Sequence, residues 1–412
     1  MSQIRKVDVA VVGSGPAGHV AAVQMARLGL SCVLIGPEHG GKDGRTTALL
    51  GSSVPYLEAL GLWDAIASKG QALRVMRLID DTGRLFKAPT TEFDSSEIGL
   101  EAFGYNIDNN QLVACLHEAV RDLVEDERLF EDKQLARSVR LEGDHADVEM
   151  EDGSIWQARL AIAADGRNSI VRQAAGIEMR KWSYPQTALV VNLHHKNEAH
   201  RNISTEFHTK TGPFTLVPFR EGYSSSLVCV VTAEDAERLK SLCRLELALE
   251  LERRAHSIYG AFDVISDPQT FPLAGMVAKQ FHGPRAAFIA ESAHAFPPIG
   301  AQGLNLSLRD IAALADIIRE DGIKDPGSLE VLETYGRMRR SDVWSRTAGV
   351  HMLNMSLISA LPFGQGARSA GLALANMVPS LRKLMMKAGL DAPGKIGWTS
   401  RVMNKKERGA QG

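Results

Sequence analysis

The sequence carries almost no net charge: 47 lysines and arginines stand against 49 aspartates and glutamates, a formal balance of −2. No global field draws the chain to nucleic acid, and nucleic acid is not an expected partner. Cysteine is scarce, with four residues in 412. Cys32, Cys115, Cys229 and Cys243 show no C-x-x-C spacing and each sits in an apolar run. Buried, reduced thiols are expected, not a zinc site or a disulfide frame. No run of about 18 strongly apolar residues occurs, so a membrane-spanning helix is not supported. The nearest stretch, 347–367, lacks Asp, Glu, Lys and Arg but holds His351, Asn354, Pro362, Gly364 and Gly366. The start, MSQIRKVDVAVVG, moves straight into an apolar strand with no cleavage-site pattern, and a cytoplasmic protein is expected. Internal repeats and low-complexity segments are also missing.

What is present is length and order. A chain of 412 residues exceeds one simple core and suggests two or three domains. It opens with VDVAVVGSGPAGHVAAVQMARLGLSCVLIG. Val7 to Val12 is an apolar run of strand length, His19 to Leu28 reads as a helix ended by Gly29, and Cys32 to Ile35 reads as a second buried strand. Between them lies G-x-G-x-x-G in the context of a dinucleotide site, strand before and helix after. Gly13 makes the tight turn, Gly15 lets a pyrophosphate approach the backbone, and Gly18 lets helix and strand pack closely. Pro16 and Ala17 open the helix, whose N-terminus favours phosphate. The second strand should end in an acid that bonds the adenosine ribose, but Gly36 stands there. Glu38 is one replacement, and a ribose held by main chain or water is the other.

Further along, Ala48 to Leu62 has helical spacing, and MRLIDDTGRLFKAP reads as a hairpin turning at Asp-Thr-Gly. Leu112, Leu116 and Val120 mark one face of a helix capped by Asp108. RLAIAADGRNSIVRQAAGI reads as a buried strand, an Asp165-Gly166 turn and a short helix from Ser169 to Ala175. From about 180 to 275 the pattern becomes strands, interrupted by one helix from about Ala233 to His256. The α/β pattern then returns, and the chain from about 325 is helical. The economical reading is a discontinuous nucleotide domain with an inserted sheet domain. Its boundaries are 1–72, 98–180 and 273–345 for the first, 73–97 and 181–272 for the second, and 346–412 for a C-terminal helical segment.

The most unusual stretch is FIAESAHAFPPIGAQGLNLSLRD. An acid ends a strand, two prolines and a Gly-Ala-Gln-Gly turn follow, and a helix begins near Leu304. Together the three sites resemble the flavoprotein aromatic hydroxylases, and within them the ubiquinone-biosynthesis hydroxylase family, over nearly the whole chain. The first motif of that family is matched by Gly13, Gly15 and Gly18. The second is matched by Asp165-Gly166, Ser169, Val171 and Arg172. The third is matched by Glu291, His294, Pro298, Gln302-Gly303 and Asn305. GRTTALLGSSVPYLEALGLW and TGPFTLVPF also look like segments of the ubiquinone branch.

The resemblance implies an α/β fold, with a Rossmann-like FAD-binding domain, an inserted β-sheet substrate domain and C-terminal helices. It implies FAD as cofactor, NAD(P)H as electron donor without a Rossmann domain of its own, O₂, and a polyprenyl phenol as substrate. By the same resemblance Gly13, Gly15, Pro16, Ala17 and Gly18 hold the pyrophosphate, while Arg45 lies near the flavin. Gln111, or its neighbours from Asn109 on, reaches the FAD, and Asp165 helps hold it. Glu291 takes the place of an Asp that bonds the ribityl hydroxyls. Pro298, Gly300, Gln302, Gly303, Leu304 and Asn305 face the ring. The chain departs from the pattern at Ala290-Glu291, where Gly-Asp is usual, and at Ala301, where Gly is usual. His294 is a weak catalytic candidate, weighed against a packed histidine.

Two rivals remain on these residues: a soluble hydroxylase of a small phenolic compound, and a non-catalytic flavoprotein subunit of a quinone-synthesis assembly. The end of the chain, from Arg382 to Arg408, holds eight lysines and arginines against Asp391 and Glu407, a net of +6. Leu353, Leu357, Met377, Val378, Leu384 and Met385 lie beside it. Such a segment either docks on anionic lipid, as a peripheral protein on the inner membrane face would, or covers the nucleotide domain with its charges solvated.

Overall fold

A computed structural model describes residues 3–38, 43–83, 87–220, 222–297, 302–358 and 378–390. Strand β1 (Ile4–Val12) is followed by helix α1 (Pro16–Arg27) and strand β2 (Cys32–Ile35). β1 lies between β2 and the strand Ile155–Ala163, parallel to both. Leu129–Asp132 extends the sheet beyond β2, and Ala286–Phe288 extends it beyond Ile155–Ala163, again in parallel. Five parallel strands, drawn from residues 4 to 288, thus end at one edge. In open parallel sheets, ligands bind in the crevice outside the strands' carboxyl ends, where the chain leaves in opposite directions. Buried Val9, Val11, Leu34, Leu160 and Phe288 place the first core on this sheet.

The second sheet is mixed. Its described strands run in the order Thr91–Asp94, Val75–Asp80, Ile203–His208, Pro213–Pro218, Ser224–Thr232, Met179–His195, Gln269–Ala278 and His294–Ala295, with Phe262–Val264 also pairing to Met179–His195. One face is closed by the helices Ala233–Ser241 and Arg244–Arg254, over Leu189, Phe207, Phe214 and Leu227. The third motif stitches the sheets together. Phe288 belongs to the first, and six residues later His294 pairs with Val277 of the second.

Several expectations need correction. Thr46–Leu50 is a strand paired with Gly104–Asp108, and helix begins only at Ser53–Ala59. The Asn305 side chain decides this: it accepts from the Leu50 N–H and donates to the Ala48 carbonyl. The hairpin forms, but its return strand is Thr91–Asp94, beyond a wider turn in which Asp80 accepts from the Thr82 and Ala88 N–H groups. The expected single helix from Ala233 breaks at Leu242, because Cys243 starts a new helix and Glu246 accepts from the Cys243 N–H. Cys243 is therefore exposed and Cys115 half-buried, against the expectation of four buried thiols. Among the described residues no helix is long and apolar enough to cross a membrane.

Candidate functional site

The first turn of the crevice is built by glycine. Gly13 has φ +116°, and a Cβ there would lie 2.2 Å from the Ala164 carbonyl oxygen. A Cβ on Gly18 would lie 1.8 Å from the Gly13 carbonyl oxygen, so helix and turn touch backbone to backbone. A Cβ on Gly15 would meet nothing within 4 Å. Two glycines are demanded by packing, and the third borders open space. No side chain caps the start of α1, and Pro16 occupies its first turn. The helix end is left to a ligand of negative charge.

At the end of β2, Gly36 has φ +151°, and a Cβ there would sit 2.7 Å from Ser14 Oγ. Ser14 Oγ donates to the Pro37 carbonyl at 2.6 Å. Ser14 thus occupies the space an acid at 36 would need. Glu38 is exposed and paired with Lys133, which lies just past Leu129–Asp132. The Lys133 hydrogen bond holds the Glu38 carboxyl below its ordinary range.

The second motif closes the crevice from the strand Ile155–Ala163. Asp165 Oδ2 accepts from the N–H groups of Ile170 at 2.8 Å and Val171 at 3.3 Å. Its Oδ1 is buried with no partner. Burial pushes the Asp165 carboxyl up, against the hydrogen bonds it receives. A buried carboxylate oxygen without a donor is costly, and the hydroxyl of a bound molecule would satisfy it. Arg172 ties this motif to the third, donating to the Ser292 carbonyl at 2.7 Å and the Arg167 carbonyl at 2.8 Å.

The third motif leaves Ala286–Phe288 through Ala290 and a single turn, Ala290–Ser292. Glu291 is half-exposed and paired with Arg167 at 3.1 Å. His294 is buried and spends Nε2 on Asp310 Oδ2 at 2.7 Å. That bond gives the weak catalytic candidate a buried partner, as a packed histidine would have. Pro298, Gly300 and Ala301 lie outside the described residues. Gln302, Gly303 and Leu304 open the helix Gln302–Ile317, and a Cβ on Gly303 would meet nothing within 4 Å. Asn305 is committed elsewhere: its side chain binds Ala48, Leu50 and Ser53.

Arg45 lies just before the strand Thr46–Leu50, against the second sheet. Asp43 grips its guanidinium through Nε and Nη2, both at 2.8 Å, and the guanidinium carbon lies 5.4 Å from the centre of the Phe271 ring. Asn109 donates to Asp43 at 3.0 Å, and Asn192 of the second sheet donates to the Gly44 carbonyl at 2.9 Å. Of the expected group 109–111, Asn109 and Asn110 both bond to Asp43, whereas Gln111 is exposed. Asp43, Arg167, Asp310 and Phe271 were not singled out by sequence. The available signals were an acid two residues before Arg45, and an acid set inside the apolar helix LNLSLRDIAALA.

The arrangement suits an elongated cofactor with a pyrophosphate and hydroxyls: open space above Gly15 and Gly303, an uncapped helix start, and an orphaned acceptor on Asp165. The family described as FAD binding domain matches residues 6–349. Among curated relatives, the ubiquinone hydroxylase UbiL of Rhodospirillum rubrum is 29% identical over 389 residues, covering 92% of this chain and 88% of that protein. The 3-demethoxyubiquinol 3-hydroxylase of Escherichia coli is 27% identical over 395 residues, covering 93% and 98%. Among solved structures, p-nitrophenol 4-monooxygenase PnpA from Pseudomonas putida superimposes with a TM-score of 0.77 at 18% identity, covering 96% of this chain and all of that one. The likeness to that structure concerns the fold.

Proposed function

The chain belongs to the FAD binding domain family, and from that premise we propose that it is an FAD-dependent monooxygenase hydroxylating the aromatic ring of a polyprenylated phenol in ubiquinone biosynthesis, with NAD(P)H and O₂. The observation that carries the reading is the crevice itself. Three motifs separated by more than a hundred residues meet there, in a chain similar over 92–93% of its length to ubiquinone hydroxylases. Bound FAD, once reduced, supplies the chemistry that activates O₂. The protein's own part is binding and orientation. Gly13 to Gly18 cradle the pyrophosphate, and Asp165 Oδ1 takes a hydroxyl. Glu291 takes the ribityl chain on leaving Arg167, and the start of the Gln302–Ile317 helix faces the ring. Arg45, fixed over Phe271, presents a cation to the donor's phosphates. The second sheet is the substrate domain. Deleting the gene and identifying the accumulated quinone precursor by mass tests the reading; a normal quinone profile would remove it.

Glu291→Gln should raise the dissociation constant for FAD about tenfold, the scale of one charge-assisted hydrogen bond. Flavin fluorescence titration reads it, and an unchanged affinity would assign the holding to main chain. The helix Pro379–Leu390 exposes Leu384 and Met385 beside Lys383 and Lys387, while Arg382 is tied to Glu97 at 2.7 Å. An apolar face flanked by cations suits an anionic lipid surface. In liposome flotation the full chain should float and a chain cut after residue 375 should not; equal flotation refutes the contact. The tail beyond Leu390 lies outside the described residues.

A further inference from the structure

Among the described residues of the third motif, Ala290 is the one in the left-handed region, at φ +54°. A glycine would adopt that angle freely, whereas a side chain makes it costly. Such a residue persists only where its surroundings over-determine it. Two bonds hold it here: its carbonyl accepts from the Ala293 N–H at 2.9 Å, closing the turn, and its N–H is taken by one buried carboxylate. The Ala290 N–H donates to Asp310 Oδ2 at 3.0 Å. His294 reaches the same oxygen, and Arg339 Nε donates to Oδ1 at 2.7 Å.

Asp310 cannot easily turn away. It is fully buried in the helix Gln302–Ile317, and Arg339 is itself held by Asp342 at 2.7 Å. Asp342 also binds Arg309 at 3.0 Å and Arg346 at 3.3 Å. Burial opposes the charge on Asp310, yet His294 and Arg339 hold its carboxyl below the usual range. A carboxylate sealed from water with these partners has a fixed orientation.

We propose that Asp310 is a positioning residue for FAD: it holds Ala290 in the left-handed turn and so sets the direction in which Glu291 leaves the strand Ala286–Phe288. The proposal rests on the reading that Glu291 meets the cofactor. The dependence is peculiar to a chain with alanine at 290, because glycine there would need no anchor.

Asp310→Asn keeps the shape but offers one acceptor oxygen to two flanking sets of donors. With Arg339 claiming that oxygen, the amide N–H₂ faces the Ala290 N–H and the bond is lost. The dissociation constant for FAD, read by flavin fluorescence on the full chain, should rise about tenfold, the equivalent of about 1.4 kcal/mol. Ala290→Gly alone should leave it unchanged. Combined with Asp310→Asn it should return affinity to within about threefold of the parent, since glycine removes the conformational cost. A purely structural role for Asp310 predicts no such rescue, and its failure in a folded double variant overturns the proposal. If Asp310→Asn does not fold, Ala290→Val decides. A β-branched residue at positive φ strains the turn directly, so an affinity about tenfold weaker supports the proposal and a parental one overturns it. A parent chain that takes up no FAD would instead refute the cofactor reading on which all this rests.

Discussion

Gly18→Ala is expected to purify without FAD and to melt well below the parent, the larger of the effects anticipated at the crevice. The added methyl would lie 1.8 Å from the Gly13 carbonyl oxygen, far inside contact distance, and the obstacle is backbone. Overpacking a core costs roughly 1–3 kcal/mol where side chains can yield, and more where they cannot. Either α1 moves off the sheet or the 13–18 turn opens, and both destroy the phosphate cradle. Gly15→Ala is the control. Its methyl meets no protein atom within 4 Å, so melting should match the parent. Because that methyl enters the space left for the pyrophosphate, FAD should still be lost. The ratio of flavin to protein absorbance and the melting temperature separate the two variants. A Gly18→Ala protein that is yellow and melts normally would refute the tight-turn account.

The opening βαβ unit was legible because its signals are local and agree: an apolar run, a glycine turn, a small-residue helix and a second apolar run. Asp108 was equally readable, and its carboxylate does accept from the Asn110 and Gln111 N–H groups. Thr46–Leu50 was not. Its apolar spacing allows helix or strand, and the deciding partner, Asn305, is about 255 residues away. The same limit governs the site. Residue types located the three motifs, and the fold brings them to one edge. What the side chains do there depends on partners chosen by the fold: Lys133 for Glu38, Arg167 for Glu291, Asp43 for Arg45. No spacing rule names the first two pairs, because each joins the ends of elements that meet only in three dimensions, whereas Asp43 stands two residues before Arg45 and was within reach of the sequence. Asp310 could have been read as well. An acid inside an apolar helix needs buried partners, and it has three.

Acid should weaken the second sheet through His195. This residue is fully buried at the end of Met179–His195, stacked on Tyr259 with ring centres 4.4 Å apart. Neither ring nitrogen has a well-formed hydrogen bond. Burial, with His200 adding to it, lowers its pKa to about 4 against an ordinary 6.5. The unfolded chain therefore binds a proton between those values while the folded chain does not. Stability from this group is complete above pH 6.5 and is lost as pH falls toward 4, by about 3 kcal/mol in all. His200, lowered in the same direction by burial, adds to the loss. His195→Phe keeps an aromatic ring against Tyr259 and removes the titration. Urea midpoints at pH 7, 6, 5 and 4.5 should fall faster for the parent than for the variant, so that their difference shifts steadily in favour of phenylalanine. Parallel curves would mean that His195 binds its proton equally in the folded and unfolded chain, its burial offset by partners in the interior, and would refute the account.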